Sequence, residues 1–434
     1  MRPKRAVTFE YSKFGYEIVE DAEEGLEDGK LLLTEKSVEE LEKLNESLNF
    51  LEIGRKRIRV LNYAGVVSVG NIRLEILPKF LKKTYEPLQS PENVKERQVI
   101  LSNLIEMLKH TGLLKVKDVN LAYLSENDDF FEVFVYVFAK NLLSLLRSKV
   151  DICYVRRKDE LNFVRGKIDV RRYVSSANLH RIPCDFYERV ADTPINRTLK
   201  YICYLLSRIT CSRENYRLLR QILAVLDPVT LTPVGVDYIK RITFNRLNSE
   251  FRPFVRFCES FLSSSSLSLR GGKVEFFSVI FPMEKLFEEF MAAVISRLLK
   301  GMELHIQRSI GYLVTKPRAF RLVPDIVVGG EEICVIDTKY KLLKPEDRRY
   351  GISQQDLYQI YAYCRELKAR KALLLYPEEL NGGKVEKDLM LRDEISLFVR
   401  TIPLGVDLKN EWDAFLSEVE NKLSCLFNSS LKSS

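Results

Sequence analysis

Val323-Pro324-Asp325-Ile326-Val327-Val328, followed by Ile333-Cys334-Val335-Ile336-Asp337-Thr338-Lys339-Tyr340, is the stretch on which the reading of this chain turns. The second run is apolar on both faces, as expected of a central strand covered on both sides. Such a strand does not end in an aspartate and a lysine without consequence, because an unpaired buried charge costs several kcal/mol. Strand period two puts Asp337 and Lys339 on one face, and Asp325, at the start of the neighbouring strand, can meet them there. Two converging carboxylates make a site for a hard divalent cation. Mg2+ fits best, being content with one or two carboxylates plus waters and phosphate oxygens, and Mn2+ can substitute. The main-chain carbonyl of Thr338, between the two side chains, is a third candidate ligand. Lys339 can then hold the attacking water and offset charge developing on a phosphate. The chemistry that suits this set is hydrolysis of a phosphodiester.

Working outward, the periodicity predicts a helix at 282–300, strands near 310–315, 320–328, 332–340 and 371–376, and a helix at 354–368. A small mixed central sheet in an α/β domain fits this order. Upstream, residues 1–90 read as strand-rich, with a hairpin over 65–77 turning at Gly70-Asn71 and a short helix at 37–48. From 91 to 262 the pattern reads as largely helical: Val99, Leu101, Leu104, Ile105 and Leu108 share one face, and Thr193-Pro194 is a strong helix start. The apolar run Phe130–Leu146 is interrupted by Glu132, Lys140 and Asn141. It falls short of the ~20 clean residues of a membrane span and reads as a core helix. Ser263-Ser264-Ser265-Ser266, with Gly271-Gly272 after it, reads as a linker. The expectation is therefore a multidomain α+β chain: a strand-rich N-terminal region (1–90), a helical middle region (91–262) and a C-terminal α/β domain (273–434) with a small mixed central sheet.

Composition narrows the class. The 434 residues carry 68 Lys+Arg against 60 Asp+Glu, an excess that permits nucleic-acid binding without demanding it, since the charge is spread along the chain. A denser basic patch lies at Arg156, Arg157, Lys158, Arg165, Lys167, Arg171 and Arg172. The eight cysteines form no CxxC pair and the three histidines stand apart from them, which argues against a structural zinc site. Reduced thiols in a cytoplasmic protein without a signal segment are the expectation. No G-x-x-x-x-G-K-[ST] run is present, so no nucleotide site of that kind is expected.

Pro324-Asp325, then Asp337-x-Lys339, then Gln359-x-x-x-Tyr363 in the following helix resembles the PD-(D/E)xK nuclease signature with its Q-x-x-x-Y element. Glu288, within Phe287-Glu288-Glu289-Phe290, is similar to the accessory first-helix acid of that superfamily; Glu284 shares its helix face. The resemblance implies a PD-(D/E)xK endonuclease fold for the C-terminal domain, with Asp325, Asp337, Lys339 and Glu288 catalytic, and with Gln359 and Tyr363 at the DNA backbone. Helical spacing of four puts those last two on one face. Three further blocks, Asn62-Tyr63-Ala64-Gly65-Val66 with Glu75-Ile76-Leu77-Pro78-Lys79, Val164-Arg165-Gly166-Lys167-Ile168, and Asp192-Thr193-Pro194-Ile195-Asn196-Arg197, resemble the McrC family. That family supplies the nuclease subunit of McrBC modification-dependent restriction systems. It implies a partner, an McrB-like AAA+ GTPase ring that recognises modified cytosine in double-stranded DNA, engaged and stimulated by the part before the nuclease. Arg165, Lys167, Arg171 and Arg172 are the candidates for stimulating GTP hydrolysis, and a solvated basic face or a DNA backbone contact is their alternative. Two other readings stand beside this one: a stand-alone nuclease in DNA repair, and a non-catalytic activator or scaffold of an AAA+ ring.

Overall fold

A computed structural model describes residues 3–20, 23–79, 86–94, 97–111, 129–175, 180–263, 268–270, 273–330, 332–344, 347, 349–378 and 383–427. The chain is mixed α/β and divides into two compact units. Met1–Leu114, Asn120–Phe131 and Ser264–Ser434 form the first; Lys115–Val119 and Glu132–Ser263 form the second. Most of the expected linker lies outside the described residues. Strand Lys273–Pro282, which follows it, runs antiparallel to strand Tyr63–Val69, with Gly65 opposite Ile280 and Val67 opposite Ser278. The segment expected to open a separate C-terminal domain therefore completes an N-terminal sheet. Local alternation specifies a strand, but not which distant strand it joins.

That sheet has six strands, ordered Ser268–Arg270, Lys273–Pro282, Tyr63–Val69, Ile72–Leu77, Lys4–Phe9, Leu88–Gln89. Its central hairpin turns at Gly70-Asn71 as the sequence predicts. Gly70 has φ +56°, and an added Cβ would press on the Glu24 carboxylate, so the turn favours glycine. Gly65 is needed for a different reason: a Cβ would lie 2.1 Å from the Val279 carbonyl of the strand that crosses it. A five-stranded sheet, Gly25–Glu27, Lys30–Leu33, Lys13–Ile18, Arg57–Val60, Leu51–Ile53, packs beside it around Phe14, Leu44, Phe50 and Val60, with the helix Glu35–Leu48 capped by Thr34.

The third sheet of this unit positions the candidate site. Its order is Leu304–Ile306, Ile326–Val328, Cys334–Thr338, Lys371–Pro377, Ser396–Ile402, Glu386–Met390, parallel at the centre and antiparallel at both margins. Strand Cys334–Thr338 is buried throughout, which explains its continuous apolar run. It crosses to Lys371–Pro377 through helix Gln354–Leu367, started by Ser353, whose hydroxyl accepts the Asp356 N–H. The expected strand 320–328 is broken at Val323-Pro324-Asp325. Its first part pairs with Gly311–Val314 as a separate hairpin (Ala319–Leu322), and only Ile326–Val328 joins the sheet. The last two strands and helix Trp412–Leu423 carried no signal strong enough to be read beforehand.

The second unit is helical around Phe134 and Phe138, which stack on Phe257 at 4.6 and 4.0 Å. The apolar helix spans Phe130–Ser148, and no helix among the described residues is long and apolar enough to cross a membrane. Glu132, buried in that helix, accepts from the Cys211 N–H and the Asn215 amide, which satisfies the charge that interrupts the run. One departure from the helical expectation is large. Cys153–Leu161 and Ile182–Val190 pair over nine residues as an antiparallel ribbon, joined by Lys167–Ile168. The first strand is rich in arginine, lysine and acid and carries no half-buried pattern because most of it faces solvent, whereas the second buries Cys184 and Phe186.

Candidate active site

Asp325 stands immediately before strand Ile326–Val328, and Asp337 near the end of strand Cys334–Thr338, which runs antiparallel beside it. Thr338 closes the gap: its N–H and its hydroxyl both donate to Asp325 Oδ2, at 2.7 Å each. Asp337 and Lys339 share a face, as period two requires, with Lys339 Nζ 2.7 Å from Asp337 Oδ2. This Asp337 oxygen, in a residue only 1% exposed, has the Lys339 ammonium as its ionic neighbour and makes no hydrogen bond of regular geometry.

Lys339 Nζ donates to Gln359 Oε1 at 3.0 Å, Gln359 Nε2 to the Tyr363 hydroxyl at 2.7 Å, and that hydroxyl to the Val323 carbonyl at 3.0 Å. The helical spacing of four thus makes a relay from the lysine to the segment entering Asp325. Tyr363 is buried, which turns it inward, away from solvent. Of the acids on helix Met283–Leu298, Glu288 is the one that reaches the site. It accepts from Gln307 Nε2 and lies close enough to Asp325 for that acid to add to the burial that raises its pKa; Glu284 instead accepts from Asn62 on the surface.

The electrostatics follow from burial and crowding. Burial first, then the Asp325 charge, pushes Asp337 up to about 7, against the opposing pull of Lys339. Burial first, then Asp325, likewise raises Glu288 to about 7. Lys339 is pulled down by burial, but the Asp337 carboxylate outweighs this and holds its pKa above the ordinary lysine value. Lys339 is therefore an ammonium, a donor rather than a base. Carboxylates that retain protons because they crowd one another are a site where a cation would be welcome.

No group of three or more His, Cys, Asp or Glu side chains is arranged as a metal cage among the described residues. Mg2+ needs no such cage. The donor set fits it: two carboxylates at the ends of adjacent strands, one of them buried with a lysine ammonium as its ionic neighbour.

Sequence reasoning missed a second layer. Lys79, of the Glu75-Ile76-Leu77-Pro78-Lys79 block, is buried and donates from Nζ to the Tyr340 carbonyl at 2.5 Å, one residue past Lys339. Its N–H donates to Glu10 Oε2, which also accepts the Tyr340 hydroxyl at 3.0 Å. The block's lysine was visible as a motif, but Glu10 carried no signal, because nothing local marks an acid that will be buried. Gln307, at φ +47° and with its N–H on the Asp325 carbonyl at 2.9 Å, was missed as well. Lys341 pairs with the buried Asp356 at 2.9 Å, which keeps a second acid of the neighbourhood ionised.

In the second unit, Arg165 lies with its guanidinium 4.3 Å over the Phe186 ring, and Arg172 pairs with Glu160 at 3.4 Å. Lys167, Arg171 and Arg172 line an open recess of about 380 Å³ together with Asp159, Asp169 and Asp185. The four candidates thus lie on the ribbon and on the short helix Val170–Ser175 beside it, and all are exposed.

Fold and site together define a two-unit α/β protein with an acid-and-lysine cluster at the end of a buried mixed sheet. The chain belongs to the family described as McrBC 5-methylcytosine restriction system components, whose model matches residues 58–377. Among solved structures it is similar to a chain of the half-complex from a tetradecameric assembly of Thermococcus gammatolerans McrB AAA+ hexamers with bound McrC. The TM-score is 0.70 at 22% identity, over 96% of this chain and 99% of that one. It is also similar to a chain of the cryo-EM structure of the Thermococcus gammatolerans McrBC complex, with a TM-score of 0.52 at 22% identity, over 69% of this chain and 89% of the other. At such identities the likeness is one of fold. No curated protein matches the chain.

Proposed function

We propose that this restriction-system protein is the Mg2+-dependent DNA endonuclease subunit of a modified-cytosine restriction complex. Asp325 and Asp337 would hold the metal. The observation carrying the proposal is the buried Asp337 carboxylate, with its Oδ2 2.7 Å from the Lys339 ammonium and crowded by Asp325 and Glu288. Bound there, Mg2+ would polarise the scissile phosphate and acidify a water. The chain's own residues do the rest. Lys339, an ammonium, donates to the water or to a phosphate oxygen and offsets charge as it develops. Gln359 orients that ammonium and Tyr363 braces Gln359 from within, so these two serve the reaction first by positioning. Asp325 is held in place by the Thr338 N–H and hydroxyl. Glu288 holds or yields a proton at its carboxyl near neutral pH.

One of the similar Thermococcus gammatolerans chains comes from an assembly of McrB AAA+ hexamers with bound McrC, the other from the McrBC complex. We extend this to the present chain: it engages an AAA+ GTPase ring through the second unit, with the exposed Arg165, Lys167, Arg171 and Arg172 on and beside the ribbon as candidates for stimulating GTP hydrolysis. Recognition of modified cytosine in double-stranded DNA would belong to that partner.

The test is cleavage of methylcytosine-containing DNA with Mg2+ (or Mn2+) and GTP, with and without the AAA+ partner, comparing wild type and Asp337→Ala. Partner-dependent cutting that the substitution abolishes is expected. Cutting by the chain alone would point to a stand-alone nuclease. Stimulation of the partner's GTPase with no cutting under any condition would leave only a scaffold, and the active-site assignment would fall.

A further inference from the structure

Directly before the candidate site, the chain folds out into a two-stranded hairpin, Gly311–Val314 paired with Ala319–Leu322, which joins none of the three larger sheets of its unit. Its base is anchored: Leu322 is buried and Ile310 packs against the same core as helix Gln354–Leu367. The remainder is not. Leu313 is 63% and Phe320 74% exposed, and Tyr312 is partly exposed beside them. Phe320 also sits at φ +56°, a conformation that a bulky side chain adopts only against strain. Folding thus holds an aromatic ring in solvent on a strained backbone, a combination found where a binding role maintains it. From Arg308 to Pro324 the sequence has four cations, Arg308, Lys316, Arg318 and Arg321, and no acid. At the base, Glu366 lies beside Gly311. Three residues after Leu322 comes Asp325.

We propose that this hairpin docks the backbone of double-stranded DNA alongside the candidate active site: Lys316, Arg318 and Arg321 meet phosphates, and Phe320 and Leu313 contact the sugars. The inference rests on the nuclease reading for its purpose, not for its measurement. Charge complementarity selects the occupant, since a cationic strip with exposed aromatic and aliphatic side chains suits a polyanion with apolar sugar faces. Continuity selects the position, because the strand that leaves the hairpin delivers Asp325.

The experiment measures binding of the full chain to a fluorescent unmodified duplex in EDTA, across a salt series, so that neither metal nor cutting enters. Lys316→Ala, Arg318→Ala and Arg321→Ala combined should weaken binding at least about tenfold at moderate salt and flatten the log–log salt slope by about two to three. A charge-keeping set (Lys316→Arg, Arg318→Lys, Arg321→Lys) should restore both, which separates lost charge from a misfolded hairpin. Phe320→Ala should weaken binding a few-fold without changing the slope. Unchanged affinity in the triple variant would overturn the proposal, as would a wild-type chain that binds no duplex. So would a triple variant that loses only the AAA+ partner, which would assign the hairpin to protein contact. Hairpin-dependent binding by a chain that never cuts would sink the nuclease reading and leave this one standing.

Discussion

The end of strand Cys334–Thr338 and the ribbon of the second unit both gather charge, and they do so under opposite rules. At the strand end the charges are few and dry. Asp337 is 1% exposed, and its pKa and that of Glu288 are driven up because burial and a neighbouring acid leave the ionised forms poorly compensated. On the ribbon the charges are many and wet: Arg156 pairs with Asp185, and Arg157 with Glu188 at 3.1 Å, with both arginine side chains more than half exposed. Water has already compensated each of those ions, so the pairs contribute little to stability. The ribbon's charges are solvated and exposed, whereas the strand-end charges are buried and crowded against one another.

The sharpest break of this contrast is Asp337→Ala, expected to cut DNA cleavage by more than about 100-fold, because even outer-shell partners of a metal site cost 10–100-fold. The protein should remain folded, and Mg2+ should no longer raise its Tm. Next comes Lys79→Met, which removes the donor to the Tyr340 carbonyl. We expect a loss of about 1–3 kcal/mol in denaturant unfolding, the cost of an unsatisfied buried acceptor, with cleavage reduced through the displaced strand end.

A pH series sharpens the comparison further. Glu288 has a folded pKa raised above its ordinary 4.5, to about 7. The folded state therefore binds its proton more tightly, and stability is lost as pH rises from about 4.5 to 7. Glu288→Gln should accordingly raise the metal-free Tm at pH 8 and leave it unchanged near pH 4. A difference that persists at pH 4 would mean that packing, not charge, is responsible.

In the second unit, Asp192 accepts from Arg197 and from the Thr230 N–H and hydroxyl, so its pKa lies below the usual carboxylate range, with the Arg197 hydrogen bonds as the largest cause. That stability is present above the unfolded carboxylate pKa and is lost as pH falls. Asp192→Ala should cost about 1–2 kcal/mol at pH 7, by the worth of hydrogen bonds to a charged group, and less in acid. The smallest effect belongs to the ribbon: Arg156→Ala should leave Tm unchanged within error, and any consequence should appear in association with an AAA+ ring. A clear drop in Tm would show that the ribbon's pairs hold the fold, and the contrast drawn above would collapse.

Much of the site was legible locally, because its logic is short-range. Period two fixes Asp337 and Lys339 on one face, spacing of four aligns Gln359 with Tyr363, and an apolar run that ends in charge marks itself. The first hairpin declared itself through Gly70-Asn71, and helix Gln354–Leu367 through its periodicity, in the same way. The ribbon did not, since an exposed two-stranded element needs no apolar alternation. Nor did the pairing of Lys273–Pro282 with Tyr63–Val69, or the meeting of Glu10, Lys79 and Tyr340. The sequence by itself determined which residues could do chemistry and on which face of their own element they stand. Only the tertiary structure decided which acid of helix Met283–Leu298 reaches Asp325, that Gln359 holds Lys339, and that Lys79 crosses from the N-terminal hairpin to the strand end. The physical reason is that periodicity is a property of neighbours along the chain, whereas burial, and with it the pKa of every group at this site, is a property of neighbours in space.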